Sequence, residues 1–284
     1  MKLSKNHLQN LLQLAIAEDI GDGDHSSLAC IPGRKRGKSR LLVKEPGVIA
    51  GTDIARMVFD LIDPNLKTEQ YIPDGSKVNE GDVVFQVKGR VRSILQSERL
   101  VLNFMQRMSA IATQTREYAD QLDGLHTKVL DTRKTTPGLR ILEKKAVVIG
   151  GGSNHRMGLY DMIMLKDNHI DFAGGVDKAI RKTLKYLQKK DKDLKIEVET
   201  RNLEEVRTVV RTGGVDRIML DNFNIEDTKK AVELIGGMFE IESSGNITLE
   251  NIREYAECGV DFISVGALTH QIRSLDLSLK AVDF

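Results

Sequence analysis

The sequence is short of cysteine, of long apolar runs and of net charge, and each shortage excludes a class of protein. Its two cysteines, Cys30 and Cys258, form no CxxC pair, which excludes a disulfide scaffold and a four-ligand zinc site and makes a reducing cytoplasm the expected compartment. No segment approaches about 18 consecutive apolar residues, so we expect no transmembrane helix. Lys and Arg number 42 against 41 Asp and Glu, a balance that disfavours general binding to nucleic acid or to a membrane surface.

Length and composition describe a folded protein of two parts. At about 150 residues per domain, 284 residues predict two domains, or one large barrel with an attachment. Hydrophobic residues make up 40% and charged residues 29%, an ordinary globular composition that disfavours disorder.

The first part of the chain predicts a small α+β layer domain. Apolar residues recur at helical spacing from Leu8 to Ile16, and Gly21 follows as a helix end. From Lys38 onward, short β-rich runs are broken by Gly, Pro, Asn and Asp, with the helical stretch IARMVFDLI between them. A helical pattern without Pro or Gly, residues 96–122, then connects to the second part.

The second part alternates short apolar runs with helical stretches. The runs are KVLDTR, DMIMLKDN, KIEVET, RIMLDN, FEIESSG and DFISVGA, and the helical stretches are VDKAIRKTLKYLQKK, LEEVRTVVR, IEDTKKAVELI and LENIREYAEC. Repeated βα units predict a parallel sheet with helices outside. We expect a closed or nearly closed barrel, with a doubly wound open sheet as the alternative.

Each apolar run ends in polar residues, and this favours the barrel. The residues at these ends are Arg133, Lys134, Lys166, Asp167, Glu199, Asp221, Ser244, Gly245 and Gly266. In (β/α) barrels the carboxyl ends of the strands and the loops that follow them build the active site. The recurrence of polar groups at the same point of every unit therefore predicts an enzyme site there.

Residues 128–169 are locally basic, with eight Lys and Arg against four Asp and Glu. A cationic pocket in a nearly neutral protein indicates a polyanionic small ligand rather than a nucleic acid. Arg donates two parallel hydrogen bonds to a planar carboxylate, whereas Lys suits phosphate as a mobile point charge. The loop GGGSNHR presents His155 and Arg156 beside this cluster; His155 is either a donor to an anion or a structural histidine.

The last two runs predict a phosphate site, and two carboxylates accompany it. Ser244, Gly245 and Gly266 can offer backbone N–H groups at helix starts, and His270 follows four residues after Gly266. Glu199 and Asp221 end adjacent runs, and we prefer Glu199 over Glu197 because it lies nearer the strand end. Such a pair can hold Mg²⁺, bind ribose hydroxyls or stabilise a developing positive charge.

Long, ordered motifs resemble the quinolinate phosphoribosyltransferase family, also called nicotinate-nucleotide pyrophosphorylase (carboxylating). The motifs are DTRKTTPGLR, EKKAVVIGGGSNHRMGLYDMIMLKDNHI, IEVET, IMLDNF, IESSGNIT and DFISVGALTHQ, with ERLVLNFMQRMSAIAT and KEPGVIAG resembling the N-terminal domain of that family. The resemblance extends from about EDIGDGD to GALTH, nearly the whole chain.

The resemblance implies a fold and a reaction. The fold is α/β, with an N-terminal α/β sandwich domain over residues 1–125 and an incomplete (β/α) barrel of about seven strands over residues 126–271; the tail, 272–284, packs back on the first domain. The reaction joins quinolinate and phosphoribosyl pyrophosphate to give nicotinate mononucleotide, pyrophosphate and CO₂, in NAD biosynthesis. Mg²⁺ is expected with the pyrophosphate. A homodimer or higher homo-oligomer is expected to share its active sites.

The resemblance also assigns roles to residues. Quinolinate binding is implied for Arg99, Arg133, His155, Arg156 and Lys166, with Arg99 supplied by the neighbouring subunit. Phosphate binding is implied for Ser244, Gly245, Gly266 and His270. Catalytic roles fall to Lys134, which can neutralise the departing pyrophosphate, and to Glu199 and Asp221, which can stabilise an oxocarbenium-like ribose and are candidates to hold Mg²⁺ indirectly.

Two other functions compete with this one. A related enzyme of the same fold with another substrate is disfavoured by the full arginine set, which fits a dicarboxylate. A non-catalytic phosphosugar-binding barrel predicts loss of the acidic pair or of Lys134, and all three residues are present.

Overall fold

The computed structural model describes residues 5–282, which form two compact mixed α/β units. The first unit contains residues 5–116, 135–151 and 268–282, and the second contains residues 117–134 and 152–267. The domain bounds expected from the sequence stay a prediction, because compactness within one chain does not test which segments fold together.

The first unit is built on a four-stranded antiparallel sheet in the order β12-β1-β5-β3. Its strands are β1 (Arg36–Val43), β3 (Lys67–Gln70), β5 (Val83–Arg90) and β12 (Leu277–Val282), with β2 (Gly47–Val48) and β4 (Lys77–Val78) as a separate pair. Its helices are α1 (Lys5–Ile20), α2 (His25–Cys30), α3 (Thr52–Ile62), α4 (Val91–Asp120, which continues into the second unit), α5 (Arg140–Gly150) and α11 (Ala267–His270, which begins in the second unit).

Apolar residues that alternate along the strands and recur at helical spacing in α3 form the core of this unit. Leu41 and Val43 of β1 are fully buried, as are Ile54 and Val58 of α3. α3 begins after Gly51, and the N–H groups of Gly51 and Thr52 donate to the Asp74 carboxylate at 3.0 and 3.1 Å. That carboxylate satisfies donors that the first helical turn leaves open.

The second unit is a parallel sheet of six strands in the order β6-β11-β10-β9-β8-β7. The strands are β6 (Lys128–Leu130), β7 (Ile163–Leu165), β8 (Ile196–Thr200), β9 (Arg217–Asp221), β10 (Glu240–Ser244) and β11 (Phe262–Ser264). The helices are α6 (Asp167–Ala173), α7 (Val176–Lys190), α8 (Leu203–Thr212), α9 (Ile225–Ile235) and α10 (Ile252–Ala256). From β7 to β11 successive strands are neighbours, and the last strand, β11, pairs with the first, β6. This is the cyclic order of a barrel, left open between β6 and β7, and it excludes the doubly wound alternative.

A seventh strand position is reduced to one bridge. Leu130 of β6 forms an isolated parallel bridge with Ser153, whose N–H donates to the Val129 carbonyl at 2.9 Å. Glycines occupy positions 150–152 just before it, and they disfavour an extended strand. The prediction of about seven strands is therefore met by six strands and this bridge.

All the helices that the patterns predict are present, and the longest helix that they do not predict is α5. The patterns predicted α1, α3, α4 and α7–α10, all of which form. The sequence pattern predicts no helix before GGGSNHR, yet this stretch forms α5 in the first unit. Arg140, Lys144 and Lys145 therefore lie on this helix and not at strand ends or in the GGGSNHR loop. Within residues 5–282, no helix combines the length and apolar character needed to span a membrane.

Gly150, at the end of α5, gives a test of the packing in the first unit. A Cβ there would lie 2.5 Å from the carbonyl oxygen of Ala112 and 2.7 Å from the Thr115 Cβ, both on α4. We expect Gly150→Ala to lower the free energy of unfolding by about 1–3 kcal/mol, because the backbone of α4 would have to move. Urea unfolding measures this change.

The matched control is Gly33→Ala, whose added Cβ would meet only the Arg92 side chain at 3.6 Å. It should leave the unfolding midpoint close to the wild-type value. Equal midpoints for the two variants would contradict the close approach of α5 to α4.

Candidate active site

The carboxyl ends of the parallel strands gather most of the predicted site residues of the second unit. Lys166 follows β7, Glu199 is the residue before the last in β8, Asp221 ends β9 and Ser244 ends β10. Strand pairing brings these ends together, since Ser244 is the register partner of Asp221. Parallel strands place every carboxyl end at one edge, which is why a sequence pattern could predict this edge.

Lys166, Glu199 and Asp221 form one electrostatic group. The Lys166 Nζ lies 2.5 Å from the Glu199 Oε2, and the Asp167 N–H donates to the Glu199 Oε1 at 3.4 Å. Burial raises the pKa of Asp221, and the Glu199 carboxylate raises it further. Two carboxylates with one ammonium group at a strand end can oppose a positive charge that develops on a ligand.

His155 and Arg156 contact groups buried in the interior of the second unit. The His155 N–H donates to the Asp131 Oδ1 at 2.9 Å, and Asp131 is fully buried at the end of β6. The His155 Nδ1 accepts the Arg156 N–H at 2.7 Å, while its Nε2 lies 2.8 Å from the Glu197 Oε2. Both ring nitrogens therefore face protein groups, and the ring presents its polar atoms to the interior.

The Arg156 side chain is anchored at one end and shares its surroundings with Arg133. Its NH1 donates to the Met162 carbonyl at 3.2 Å. Burial lowers the pKa of Arg156, the nearby positive charge of Arg133 lowers it further, and the Glu197 and Asp161 carboxylates oppose this. Two guanidinium groups that repel each other create a place where a dianion is favoured.

Three charged residues lie inside the barrel; sequence reasoning misses Arg217 and Glu242 and sets Glu197 aside in favour of Glu199. Glu197 and Glu242 are fully buried, and Arg217 lies between them with its NH1 2.9 Å from the Glu242 Oε2. The Arg217 guanidinium also lies 3.9 Å from the centroid of the Phe262 ring. A signal existed, because IEVET, RIMLD and EIESS carry charges at alternate positions of buried strands. Such charges face the barrel interior and require partners there.

Burial raises the pKa of both carboxyl groups of this cluster. Burial raises the pKa of Glu242 to about 8, with the neighbouring Glu197 adding to the effect. Burial raises the pKa of Glu197 as well, while Arg217 opposes the shift. His155, Glu197 and Glu242 each offer one ligand atom within 4.8 Å of the others. Arg217 already binds the Glu242 oxygen, so we interpret the cluster as a charge network rather than as a metal centre.

The residues predicted to bind phosphate at the end of β10, Ser244 and Gly245, lie beside Asp221. Gly245 has φ 91°. A Cβ at Gly245 would lie 2.2 Å from the Asn222 Oδ1, because the Asn222 side chain occupies the space that this Cβ would need. Only glycine fits this position. Gly266 follows β11, at the same edge of the sheet.

The remaining predicted residues are exposed. Arg133 and Lys134 lie in the segment after β6. Arg99 is on α4 in the first unit, where Leu100, Phe104 and Met108 are buried while Arg99 is exposed. His270 is the last residue of α11 and also belongs to the first unit. The roles assigned to these residues stay predictions.

A parallel barrel with basic and acidic groups at its strand ends is the architecture of an enzyme that handles small anions. Models of the N- and C-terminal domains of quinolinate phosphoribosyl transferase match residues 24–109 and 111–280. The chain belongs to the quinolinate phosphoribosyltransferase family, a family of pentosyltransferases.

Relatives and solved structures agree with this assignment. The chain is 47% identical to the mitochondrial quinolinate phosphoribosyltransferase (decarboxylating) 2 of Nicotiana glauca, over 96% of this chain and 82% of that protein. It is 46% identical to the chloroplastic nicotinate-nucleotide pyrophosphorylase (carboxylating) of Arabidopsis thaliana, with the same coverage of 96% and 82%. The crystal structure of NadC from Streptococcus pyogenes is 40% identical and superposes with a TM-score of 0.93 over 100% of both chains.

The buried Glu242 makes the stability of the protein depend on pH. Its pKa is about 8 in the folded protein against 4.5 for an ordinary glutamate, so the folded state holds a proton that the unfolded state has lost. The stability that this proton confers is therefore lost as pH rises from about 4.5 to 8. We expect the urea midpoint to fall over this range, and Glu242→Gln to remove part of the fall.

The control is Glu240→Gln, which removes another partner of Arg217, 3.1 Å from its NH2, but on a side chain that is 39% exposed. It should keep the wild-type dependence on pH. A wild-type slope in Glu242→Gln would show that Glu242 titrates as an ordinary glutamate.

Proposed function

We propose that this chain transfers the phosphoribosyl group of phosphoribosyl pyrophosphate to quinolinate, giving nicotinate mononucleotide, pyrophosphate and CO₂ in NAD biosynthesis. The observation that carries the proposal is the proximity of Arg133 to Arg156, in the unit whose strand ends bear Glu199 and Asp221. Family membership supports the same reaction, because the relatives carry this activity in their names.

The arginine pair suits the pyridine substrate. Quinolinate carries two carboxylates on adjacent ring carbons, and each guanidinium can donate two parallel hydrogen bonds. Arg156 is buried and its side chain is anchored to the Met162 carbonyl, so little conformational entropy is lost when it binds. We assign Arg133, Arg156 and Lys166 to the substrate carboxylates, and His155 to holding Arg156 in place through its own contacts with Asp131 and Glu197.

The acidic pair suits the sugar donor. The pyridine nitrogen forms a bond to the ribose C1 while the bond from C1 to pyrophosphate breaks, and the ribose carries positive charge between the two events. Glu199 and Asp221 oppose that charge, which exists mainly in the transition state. Lys134 balances the charge of the departing pyrophosphate, and Ser244, Gly245, Gly266 and His270 bind the 5-phosphate. The ring C2 then loses its carboxylate as CO₂ and takes up a proton.

The chemistry of the donor set fits Mg²⁺ in part. Mg²⁺ prefers carboxylate and phosphate oxygens, and Asp221 offers a half-buried carboxylate. The Glu199 Oε2 is already bound by the Lys166 Nζ, so Glu199 and Asp221 would hold Mg²⁺ indirectly, with the pyrophosphate as its principal ligand. When bound, Mg²⁺ supplies positive charge that stabilises the leaving group.

Assembly and compartment complete the proposal. Arg99 is exposed on α4, and its side chain forms no hydrogen bond or ion pair with any residue of the range 5–282. This supports a role for Arg99 in the active site of a second copy of the chain, in a homodimer or higher homo-oligomer. The cytoplasm remains the expected compartment on the ground of two free cysteines, although relatives are named for mitochondria and chloroplasts.

A direct assay tests the function. Purified protein, Mg²⁺, the sugar donor and quinolinate should yield nicotinate mononucleotide and CO₂ in equal amounts, while nicotinate in place of quinolinate should give no CO₂. Turnover of nicotinate but not of quinolinate would indicate a related enzyme. Binding of the sugar donor without turnover of either would indicate a phosphosugar-binding barrel.

Loss of either arginine should weaken quinolinate binding selectively. We expect Arg133→Ala and Arg156→Ala to raise the KM for quinolinate roughly 10- to 100-fold, because each removes charge-assisted hydrogen bonds. The KM for the sugar donor should change far less. Steady-state kinetics with each substrate varied in turn measures both values.

The control is Arg207→Ala, on the exposed face of α8, which loses only the ion pair to Glu204 at 3.2 Å. Both of its KM values should match those of the wild type. Equal rises in both KM values for the Arg133 and Arg156 variants would contradict a dicarboxylate site.

Mixing of subunits tests whether Arg99 works in trans. Arg99→Ala and Glu199→Gln subunits should each be inactive alone. In a heterodimer, one site combines both defects and the other has neither, so about half of the sites should regain activity. Subunit exchange is verified by mass spectrometry of differently tagged chains, and exchange without recovered activity would exclude a shared site.

A further inference from the structure

Strained backbone in the described residues is concentrated beside Asp221. Within residues 5–282, three non-glycine residues have positive φ, namely Asp191 at 49°, Asn222 at 57° and Asn246 at 52°. Asp191 ends α7 in the left-handed conformation common at helix ends. The other two are hydrogen-bonded to each other, Asn246 Nδ2 to Asn222 Oδ1, at 3.0 Å. Left-handed residues outside helix ends cluster where the surrounding structure positions functional groups.

Asn222 joins two strand ends through three hydrogen bonds. Its Nδ2 donates to the Asp221 Oδ2 at 2.9 Å, and its Oδ1 accepts from Asn246. Its backbone N–H donates to the Ser244 carbonyl at 2.8 Å. An amide is the group that this place requires, because it offers a donor to the carboxylate on one side and an acceptor to Asn246 on the other.

The chain on both sides of Asn222 is fixed. Phe223 is buried, and its carbonyl accepts the Tyr255 hydroxyl at 2.8 Å. Asn224 caps α9 by accepting the Asp227 N–H at 2.8 Å. The Asn222 side chain also lies against Gly245, where any Cβ would collide with it. The side-chain amide is therefore held between Asp221 and the loop after β10.

We propose that Asn222 is a positioning residue that orients the Asp221 carboxylate and ties it to the phosphate-binding loop Ser244–Asn246. Binding of the 5-phosphate at this loop then sets the orientation of the carboxylate that opposes the ribose charge. This inference rests on the proposed function, since it takes Asp221 as a group that acts on the sugar donor.

The two bonds of the Asn222 side chain can be removed separately. Asn222→Asp keeps an acceptor for Asn246 but replaces the donor to Asp221 by a repelling oxygen. Asn246→Gly keeps the bond to Asp221, accepts the left-handed backbone and removes the bond to the loop. Asn222→Gly removes both bonds and also accepts the left-handed backbone.

Each variant should have its own kinetic signature. We expect Asn222→Asp to lower kcat about 10- to 100-fold with the KM for phosphoribosyl pyrophosphate within about twofold of wild type, because a hydrogen bond to a charged group is lost. Asn246→Gly should raise that KM about three- to tenfold and leave kcat within about twofold, as expected for one neutral hydrogen bond. Asn222→Gly should change both values.

The control is Asp191→Gly, the same kind of change at the remaining left-handed position, on the far end of α7. It should leave kcat and both KM values at wild-type levels. Thermal unfolding of all four variants gives their fraction folded, by which the kcat values are corrected.

The outcome separates this inference from the proposed function. A wild-type protein with no turnover of quinolinate defeats the proposed function itself. An active wild type in which Asn222→Asp keeps the wild-type kcat overturns the role of Asn222. The same holds if Asn222→Asp and Asn246→Gly change the same constant by the same factor, since a merely structural turn would act in that way.

Discussion

Pairing of buried charges inside the barrel is the constraint on which the site depends. Glu197, Arg217 and Glu242 come from three neighbouring strands, β8, β9 and β10, and none can be left unpaired without a large desolvation cost. Arg217 is the register partner of both Glu197 and Glu240, and its guanidinium bonds Glu242. A slip of one residue on any of these strands would turn its charge to the other face and break the set.

The same register places Glu199 nearer the carboxyl end of β8 than the buried Glu197. Glu199 lies two residues beyond Glu197, and both are buried on one face of β8. Glu197 meets His155 in the interior, whereas Glu199 meets Lys166 at the strand end. Two chemically identical side chains thus differ in task because of depth alone, one supporting a histidine and the other available to oppose charge on a ligand.

The sequence predicted the edge of the sheet but not the network beneath it. Glu199 and Asp221 could be found because each ends an apolar run, which is a local pattern. The partners of Glu197 could not be found, since His155 and Glu242 are 42 and 45 residues away along the chain respectively and meet it only through strand order. The role of Asn222 could not be predicted for a similar reason. Its positive φ and its hydrogen bond to Asn246 depend on how two loops meet in the fold.

Helix α5 shows the other way in which a local pattern can mislead. Its basic residues raise the local charge of residues 128–169, and from this charge the sequence predicts one cationic pocket. The structure divides it: Arg140, Lys144 and Lys145 lie on α5, where Lys145 is ion-paired with Asp53, while Arg133, Arg156 and Lys166 remain with the strand ends. The case for a dianionic ligand therefore depends on fewer charges than the sequence count indicated, but on better placed ones.

The placement of those few charges explains how the site can favour a dianion without being unstable when empty. Arg133 and Arg156 repel each other, and burial adds to the cost of the Arg156 charge. Glu197, whose Oε2 lies 2.8 Å from the His155 Nε2, offsets part of this cost without occupying the space of a ligand. Because the compensating carboxylate is fully buried, it cannot swing out to bind the arginines directly. The positive face therefore stays available to a substrate that brings two carboxylates of its own.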